Sequence, residues 1–519
     1  MKNKKMTTIL ALVLVLCVLF SACGGKTAVE EPVTNEPEVS NEPAKEEPKQ
    51  NTEYPVVSWY LMASDQYTRD QELVEEAVNE ILREKVGCEV KFYFLEGATY
   101  KEKMNVMMNA GEEIDIMAGG SYTGIPFATA YRTGSLLDVS DLLEEYGQAI
   151  LAKSDDRVWT AVTKEDGIYA IPSQMPWASE QVVSFRADLV EKYAIDIDAV
   201  KTIEDLEPIL ETLKTNESGV VPLMTTSDRS VPRVFIRNAA VGNYSTVVNN
   251  MVAFNYETQQ MESVLDQQSA VDVYRVVHDY YQKGYIAKDA LSIVDTMLEA
   301  RDPKYAVTYV TDEFSDGEKS SALIGVDSVE TLLGRDEITT DSMIVVLNYI
   351  SNTSKQPENA MKVLNEVWSN PELSNLIAYG IEGVHYTVTA NAGTDHPSVE
   401  PKTGDEISWT IYHNFIGPLF DQWDSPWNST EALQGMEERN TSSPASQLLG
   451  FTFNQEPVKN QIAELEAVTS EIFPVLMCGA MSDFDAYIEE AAARMEAAGL
   501  DDVIAEAQRQ YEEWVSSNQ

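Results

Sequence analysis

Cationic side chains, cysteine and histidine are all scarce in this chain. Against 85 Asp and Glu stand only 37 Lys and Arg, a net charge of -48 over 519 residues. Such a polyanion is repelled by nucleic acid and by anionic headgroups, which argues against a nucleic-acid partner and against lying flat on a membrane. The four histidines (His278, His385, His396, His413) are scattered, and the four cysteines lack metal-ligand spacing. Asp196-Ile-Asp198 lacks the glycine of an EF-hand loop. No metal or cofactor is therefore expected. His-Glu-x-x-His, Gly-x-Ser-x-Gly and P-loop patterns are also missing. Paired carboxylates can cleave glycosides, but with 85 acids such pairs arise by chance and carry no information. The balance of these absences is against an enzyme. No repeat of 20–50 residues is evident.

Long apolar runs are missing too, with one exception. Met6 to Phe20 is apolar apart from Thr7 and Thr8, and follows Lys2, Lys4 and Lys5. About fifteen residues fall short of the ~20 that span a bilayer as a helix. A basic start, a short apolar core and then small residues form the layout of a secretory signal. Ser21-Ala22-Cys23-Gly24 resembles the lipobox of a bacterial lipoprotein, with Phe20 in place of the commoner Leu. That resemblance implies cleavage after residue 22, a lipid on Cys23 and tethering to the extracytoplasmic face of the cell membrane. Without the three lysines of residues 1–22 the net charge becomes −48 − 3 = −51. Residues 23–53, rich in Glu and Pro, bury too little apolar surface to offset their ordering entropy and read as a solvated tether. The remaining 519 − 53 = 466 residues suffice for two or three domains. Cys88 and Cys478, far apart, are expected as buried free thiols, with a disulfide as the alternative.

The folded part opens with regular alternation. Pro55–Leu61 reads as a strand, and Thr68–Val86 as a helix whose Leu73, Val74, Ala77, Val78, Ile81 and Leu82 share one face. Cys88–Leu95 reads as a strand, Thr99–Ala110 as a Met-rich helix ending at Gly111, and Ile114–Met117 as a strand running into Gly119–Tyr122. This is βαβ spacing and implies a parallel sheet, with ligands beyond its carboxyl ends. Gly167–Pro172, Gln181–Phe185, Ser321–Val326 and Met343–Leu347 also read as strands. Thr202–Leu213 and Ala270–Gly284 read as helices. From Gln356 the pattern is mainly helical, closing with Ser482–Ala498 and Asp501–Trp514 around Gly499.

Several segments carry a family resemblance. Ala110–Met117, Asp166–Pro172, Phe185–Tyr193, Thr202–Leu206 and Tyr281–Ala290, in that order, resemble family 1 extracellular solute-binding proteins of ABC importers. Gln356–Leu364, Tyr379–Tyr386, Ser443–Phe453 with Pro457–Lys459, and Ala498–Trp514 resemble a lipoprotein branch carrying a C-terminal domain of unknown function. Where that branch often has Gly-Asn, this chain has His413-Asn414-Phe415, which puts contacts needing the glycine in doubt. The resemblance implies an α/β, two-lobed periplasmic-binding-protein-like fold with a hinge and a mainly helical C-terminal part. Residues 54–350 would form the core and 351–519 a domain completing the lobes, with a first crossing near 172–181. It also implies a solute held between the lobes and delivered to permease subunits, by a monomer.

Aromatic side chains are the best lead to the solute, because sugar rings pack apolar faces on aromatic planes. Trp59, Tyr60, Tyr122 and Trp177 fall at strand ends or cleft-edge loops, and Trp409, Trp423 and Trp427 in an irregular C-terminal stretch. These are the candidate ligand contacts, with packing as the alternative for each. Asp115, between Ile114 and Ile116, is expected to make a buried structural hydrogen bond. The leading reading is an oligosaccharide receptor. A peptide receptor, a surface glycan-active enzyme and a sensory or adhesive lipoprotein are the competing ones.

Overall fold

The computed structural model describes residues 54–517, apart from Asp166 and Trp427. Cys23 and residues 23–53 lie outside the described residues. Among those described, no helix is long and apolar enough to cross a membrane.

The opening alternation builds the first sheet. Val56–Met62 pairs in parallel with Glu89–Leu95 on one side and Ile116–Gly119 on the other. Leu347–Ile350 and then Ile171–Pro172 complete five strands, with Leu347–Ile350 antiparallel to both its neighbours. Val74, Val78 and Leu82 of helix Gln71–Lys85 are buried against this sheet. The flank of that helix next to its apolar face does something the apolar pattern does not show. Gln71, Glu75 and Asn79, spaced four apart, line up beside the outer strand. Gln71 Nε2 donates to Phe92 O at 2.7 Å, Phe92 N donates to Glu75 Oε2 at 3.0 Å, and the Asn79 amide bonds both Val90 O and Val90 N. Side chains thus stand in for the missing neighbour strand and close the sheet's edge.

The second sheet runs Ser328–Arg335, Glu180–Arg186, Tyr305–Thr308, Val221–Leu223. Residues 173–179 therefore pass from the first sheet to the second, and residues 336–346 return. A third segment is strapped to that return: Ile338 N donates to Pro444 O, Ser446 N to Ile338 O (both 2.8 Å), and Gly450 N to Thr340 Oγ1 at 2.7 Å. A three-stranded antiparallel sheet, Tyr244–Val248, Val252–Asn255 and Gln260–Ser263, shares a core with the C-terminal helices Lys459–Cys478, Phe484–Ala497 and Leu500–Ser517. Division at residue 350 follows the sequence rather than space, because Met361, Leu364, Val367 and Ile377 belong to the first lobe's core.

Two strand expectations are corrected. Ser321–Val326 lies mostly in a helix, Glu318–Ile324, bracketed by Gly317 and Gly325 in left-handed conformations; the strand begins at Ser328. Short apolar runs do not distinguish the two states by periodicity. Met343–Leu347 holds the end of a one-turn helix, Thr340–Met343, opened by a Thr339–Ser342 capping box, and the strand starts only at Leu347. Cys88 and Cys478 are free and sit in different cores, each thiol pushed up by burial, to about 11 and about 12 respectively. Asp115 accepts from Ser58 N, Ser58 Oγ and Ser354 Oγ, a structural role.

Replacing Asn79 by Ala leaves Val90 N and O unpaired in a buried place. We expect a loss of about 2 kcal/mol in unfolding free energy, read from the urea midpoint, whereas Ala at exposed Glu80, one residue on, should leave it within about 0.5 kcal/mol.

Candidate functional site

The carboxyl ends of the first sheet's parallel strands and of Val221–Leu223 and Tyr305–Thr308 border the region between the lobes. Such strand ends are where open α/β sheets bind ligands. Ser64 Oγ and Asp65 N both donate to Glu96 Oε1, at 3.1 and 3.0 Å, tying the first two strand ends together. The third is fixed from below. A Cβ on Gly119 would meet the Tyr349 ring at 1.9 Å. With no side chain there, the Tyr349 hydroxyl reaches through to donate to Ile125 O and accept from Gly120 N, both at 3.1 Å. The loop so pinned presents Tyr122, 61% exposed. Its ring lies 5.9 Å from Phe415, which lies 6.4 Å from Tyr412, 67% exposed. Tyr122 and Tyr412, packed on either side of buried Phe415, make an aromatic shelf on the first lobe.

The other expected aromatics divide. Trp59 is fully buried against Phe92, a correction: alternation along Val56–Met62 points it into the core and away from any ligand. Trp409 is likewise corrected, being buried edge-on to Phe94 with Nε1 donating to Ile377 O at 2.8 Å. Tyr60 stacks on Tyr93 at 4.6 Å and lines a cavity of about 720 Å³ by the outer strand, away from the interlobe segments. Trp423 packs with Tyr386 and Tyr379 in a small separate cluster. Trp427 lies outside the described residues. Tyr122 and Trp177 remain. Tyr412 and Phe415 went unnoticed because their segment stood out only as a departure from Gly-Asn; two rings three residues apart just before Gly417 were the available signal.

Trp177 sits in the first crossing. Its backbone N donates to Asn440 Oδ1 at 2.8 Å, and Asn440 Nδ2 donates to Met175 O at 2.6 Å. Asn440 ends a helix, Thr430–Ser442, whose carbonyls at 440 and 443 accept from Arg157 of the first lobe. The preceding residue, Arg439, lies between Glu180 (3.6 Å) and Glu313 (3.5 Å) of the second lobe. The Trp177 ring lines a cavity of about 470 Å³ with Lys153, Gln174 and Phe420, and another of about 390 Å³ with Arg237, Tyr244 and Asp341. Its Nε1 is buried without a partner. Arg237 joins Asp336, Asp312 and the Tyr309 hydroxyl. Burial would raise the Asp312 carboxyl, but the Arg237 charge beside it holds it below the ordinary value. Among the described residues no group of three or more His, Cys, Asp or Glu is placed to hold a metal ion.

Residues 63–371 match the model of the bacterial extracellular solute-binding protein family, and residues 447–516 match a domain of unknown function. The chain belongs to the bacterial extracellular solute-binding protein family. A carbohydrate ABC transporter substrate-binding protein of Streptococcus pneumoniae serotype 4 is 25% identical over 472 residues, 89% of this chain and 91% of its own. The crystal structure of an N-glycan transport solute-binding protein from Streptococcus pneumoniae superposes with a TM-score of 0.72 at 22% identity, covering 90% of this chain and 100% of that one. A human-milk-oligosaccharide (HMO) binding, ABC-transporter-associated protein from Bifidobacterium longum infantis does so with a TM-score of 0.65 at 13% identity, covering 89% and 99%. The two-lobed solute-binding fold is thus shared, and this solute-binding protein carries the family's interlobe region.

The departure at His413 has a defined role in this member of the family. His413 is buried, and its Nε2 donates to Asn375 Oδ1 at 3.1 Å; the Asn375 amide nitrogen is committed to Pro371 O and Asp421 O, which fixes that orientation. Burial lowers the imidazole to about 3, so the ring stays neutral in the fold. An unfolded chain protonates it near pH 6.5, so stability is whole above that pH. It falls below it by up to about 1.4 kcal/mol per pH unit. We expect His413→Gln to flatten this slope between about pH 6 and 4, as read from urea unfolding at each pH.

Proposed function

We propose that this protein is the receptor of an ABC importer for a neutral oligosaccharide, closing its lobes on the glycan and passing it unchanged to permease subunits. The observation that carries the sugar reading is the pair of exposed rings, Tyr122 and Tyr412, set on either side of buried Phe415 beside the strand ends. Exposed rings side by side at such an edge offer apolar planes for successive sugar faces. The carbohydrate and glycan relatives support it by similarity. In this reading the protein binds without turnover and acts as a monomer. The signal of residues 1–22, a lipid on Cys23 and the acidic tether of residues 23–53 complete the proposal: a body held on the extracytoplasmic face of the membrane, within reach of its permease. A short tether raises the effective concentration of the two partners.

A thermal-shift screen against N-glycan fragments, milk oligosaccharides, fructans and short peptides tests the ligand class. Ligand at 100 times its Kd adds about 2.7 kcal/mol, a shift of several degrees. We expect the glycans to give it; a shift from peptides alone would establish a peptide receptor instead, and released smaller sugars an enzyme. Tyr122→Ala or Tyr412→Ala should weaken glycan binding about five- to tenfold, near 1 kcal/mol, with the melting temperature unchanged.

For the anchor, metabolic labelling with a radioactive fatty acid should mark the wild type and not Cys23→Ala. Label retained by the variant would remove Cys23 as the lipid site.

A further inference from the structure

Three cavities meet at one side chain. Those of about 40, 390 and 850 Å³ share Asp341, and together they form a trough along the returning crossing. One end of the trough is walled by Ser121, next to Tyr122 of the aromatic shelf; the other end is walled by Trp177. The 390 and 850 Å³ parts are each of a size that holds a small-molecule ligand.

The charges along the trough are nearly all committed. Arg237 holds Asp336, Glu337 accepts from Gly242 N and Tyr256, Arg132 donates to Asn454 Oδ1, and Glu456 pairs with Lys459. Asp341 is the exception: among the described residues its carboxylate has neither hydrogen bond nor ion pair. Its side chain is exposed and opens into the trough, where the flanking protein partly desolvates the carboxyl and raises it above the ordinary value. A second group is also left over. Thr452 Oγ1, in the wall of the 40 and 850 Å³ parts, is buried with no partner. Asn249 stands opposite in both larger parts.

An acid without a protein partner, in one trough with an unsatisfied hydroxyl and an amide, is suited to a neutral ligand rich in hydroxyls. Vicinal hydroxyls of a hexose offer two donors to one carboxylate, and a charged acceptor makes the stronger hydrogen bonds. We infer that Asp341 is a specificity-determining residue that accepts hydroxyls of an extended oligosaccharide running from the Tyr122 shelf along the trough toward Trp177. This rests on the oligosaccharide reading above and adds to it a minimum length: a glycan confined to the shelf does not reach Asp341.

Titration calorimetry of the purified protein with two N-glycan fragments, one bearing one mannose and the other five, tests this. The wild type should bind the longer fragment more tightly. Asp341→Asn should weaken the longer fragment ten- to hundredfold, about 1.4 to 2.8 kcal/mol, leave the shorter within twofold, and keep the melting temperature within about 2 °C. Equal affinity of wild type and variant for the longer fragment overturns the assignment, as does an equal loss for both fragments. If Asp341→Asn fails to fold, Asn249→Ala is read in the same way, with the same length-selective loss supporting the trough and no loss refuting it. A wild type that binds neither fragment nor any other glycan brings down the oligosaccharide reading itself, a result distinguishable from the failure of Asp341 alone.

Discussion

The amide of Asn440 is the contact on which the arrangement of the lobes depends. It meets both Trp177 N and Met175 O, two backbone groups of the first crossing that lie outside either sheet. A connecting strand that leaves one sheet for another must lose its ladder partners somewhere, and a buried unpaired amide costs about 1 to 3 kcal/mol. Here a side chain over 260 residues downstream supplies the partners. Arg157 then grips the same helix end from the first lobe, while Arg439 faces two carboxylates of the second. Thr430–Ser442 is thus held by both lobes at once. Any rotation of one lobe against the other has to be taken up around that helix terminus, since the backbone groups of the crossing are locked to it.

The same logic explains the composition of the interlobe region. Arg237 is shared by Asp312, Asp336 and Tyr309, and Arg439 by Glu180 and Glu313. In a chain with more than twice as many acids as bases, cations at the junction serve several anions each, and local neutrality is reached by geometry rather than by number. Asp341 is left outside such sharing, and differs from the general surplus in lining three adjoining cavities. The surplus itself is spread over exposed faces, where it keeps copies apart.

The first lobe was legible in the sequence because its signals are local. Val74, Val78 and Leu82 mark one helical face, Gly111 a left-handed cap, and the strands between them are bounded by turns. The transition of residues 173–179 between sheets was legible as a proline-bounded loop between two strand-like runs. What stayed hidden is what depends on distant partners. Glu318–Ile324 is helical although its apolar run also fits a strand, and the sheet of residues 244–263 needed the C-terminal helices to bury it. Among the site residues, Tyr122 was legible because a glycine pair ends the preceding strand. Trp59 was misplaced because strand alternation has two faces, and nothing in one strand says which faces solvent. Asp341 was invisible for a different reason: in a chain with 85 acids only the fold shows which of them lies where three cavities meet.

The closed outer strand has a consequence for how densely such a protein can be gathered. An open strand edge is a template, and two copies meeting edge to edge can join their sheets through backbone bonds that no change of surface charge easily prevents. The ladder of Gln71, Glu75 and Asn79 occupies those backbone groups from within the same molecule. Copies that collide at this edge meet backbone groups already bonded at residues 90 and 92. With that edge already satisfied, such encounters have no open template through which to join sheet to sheet.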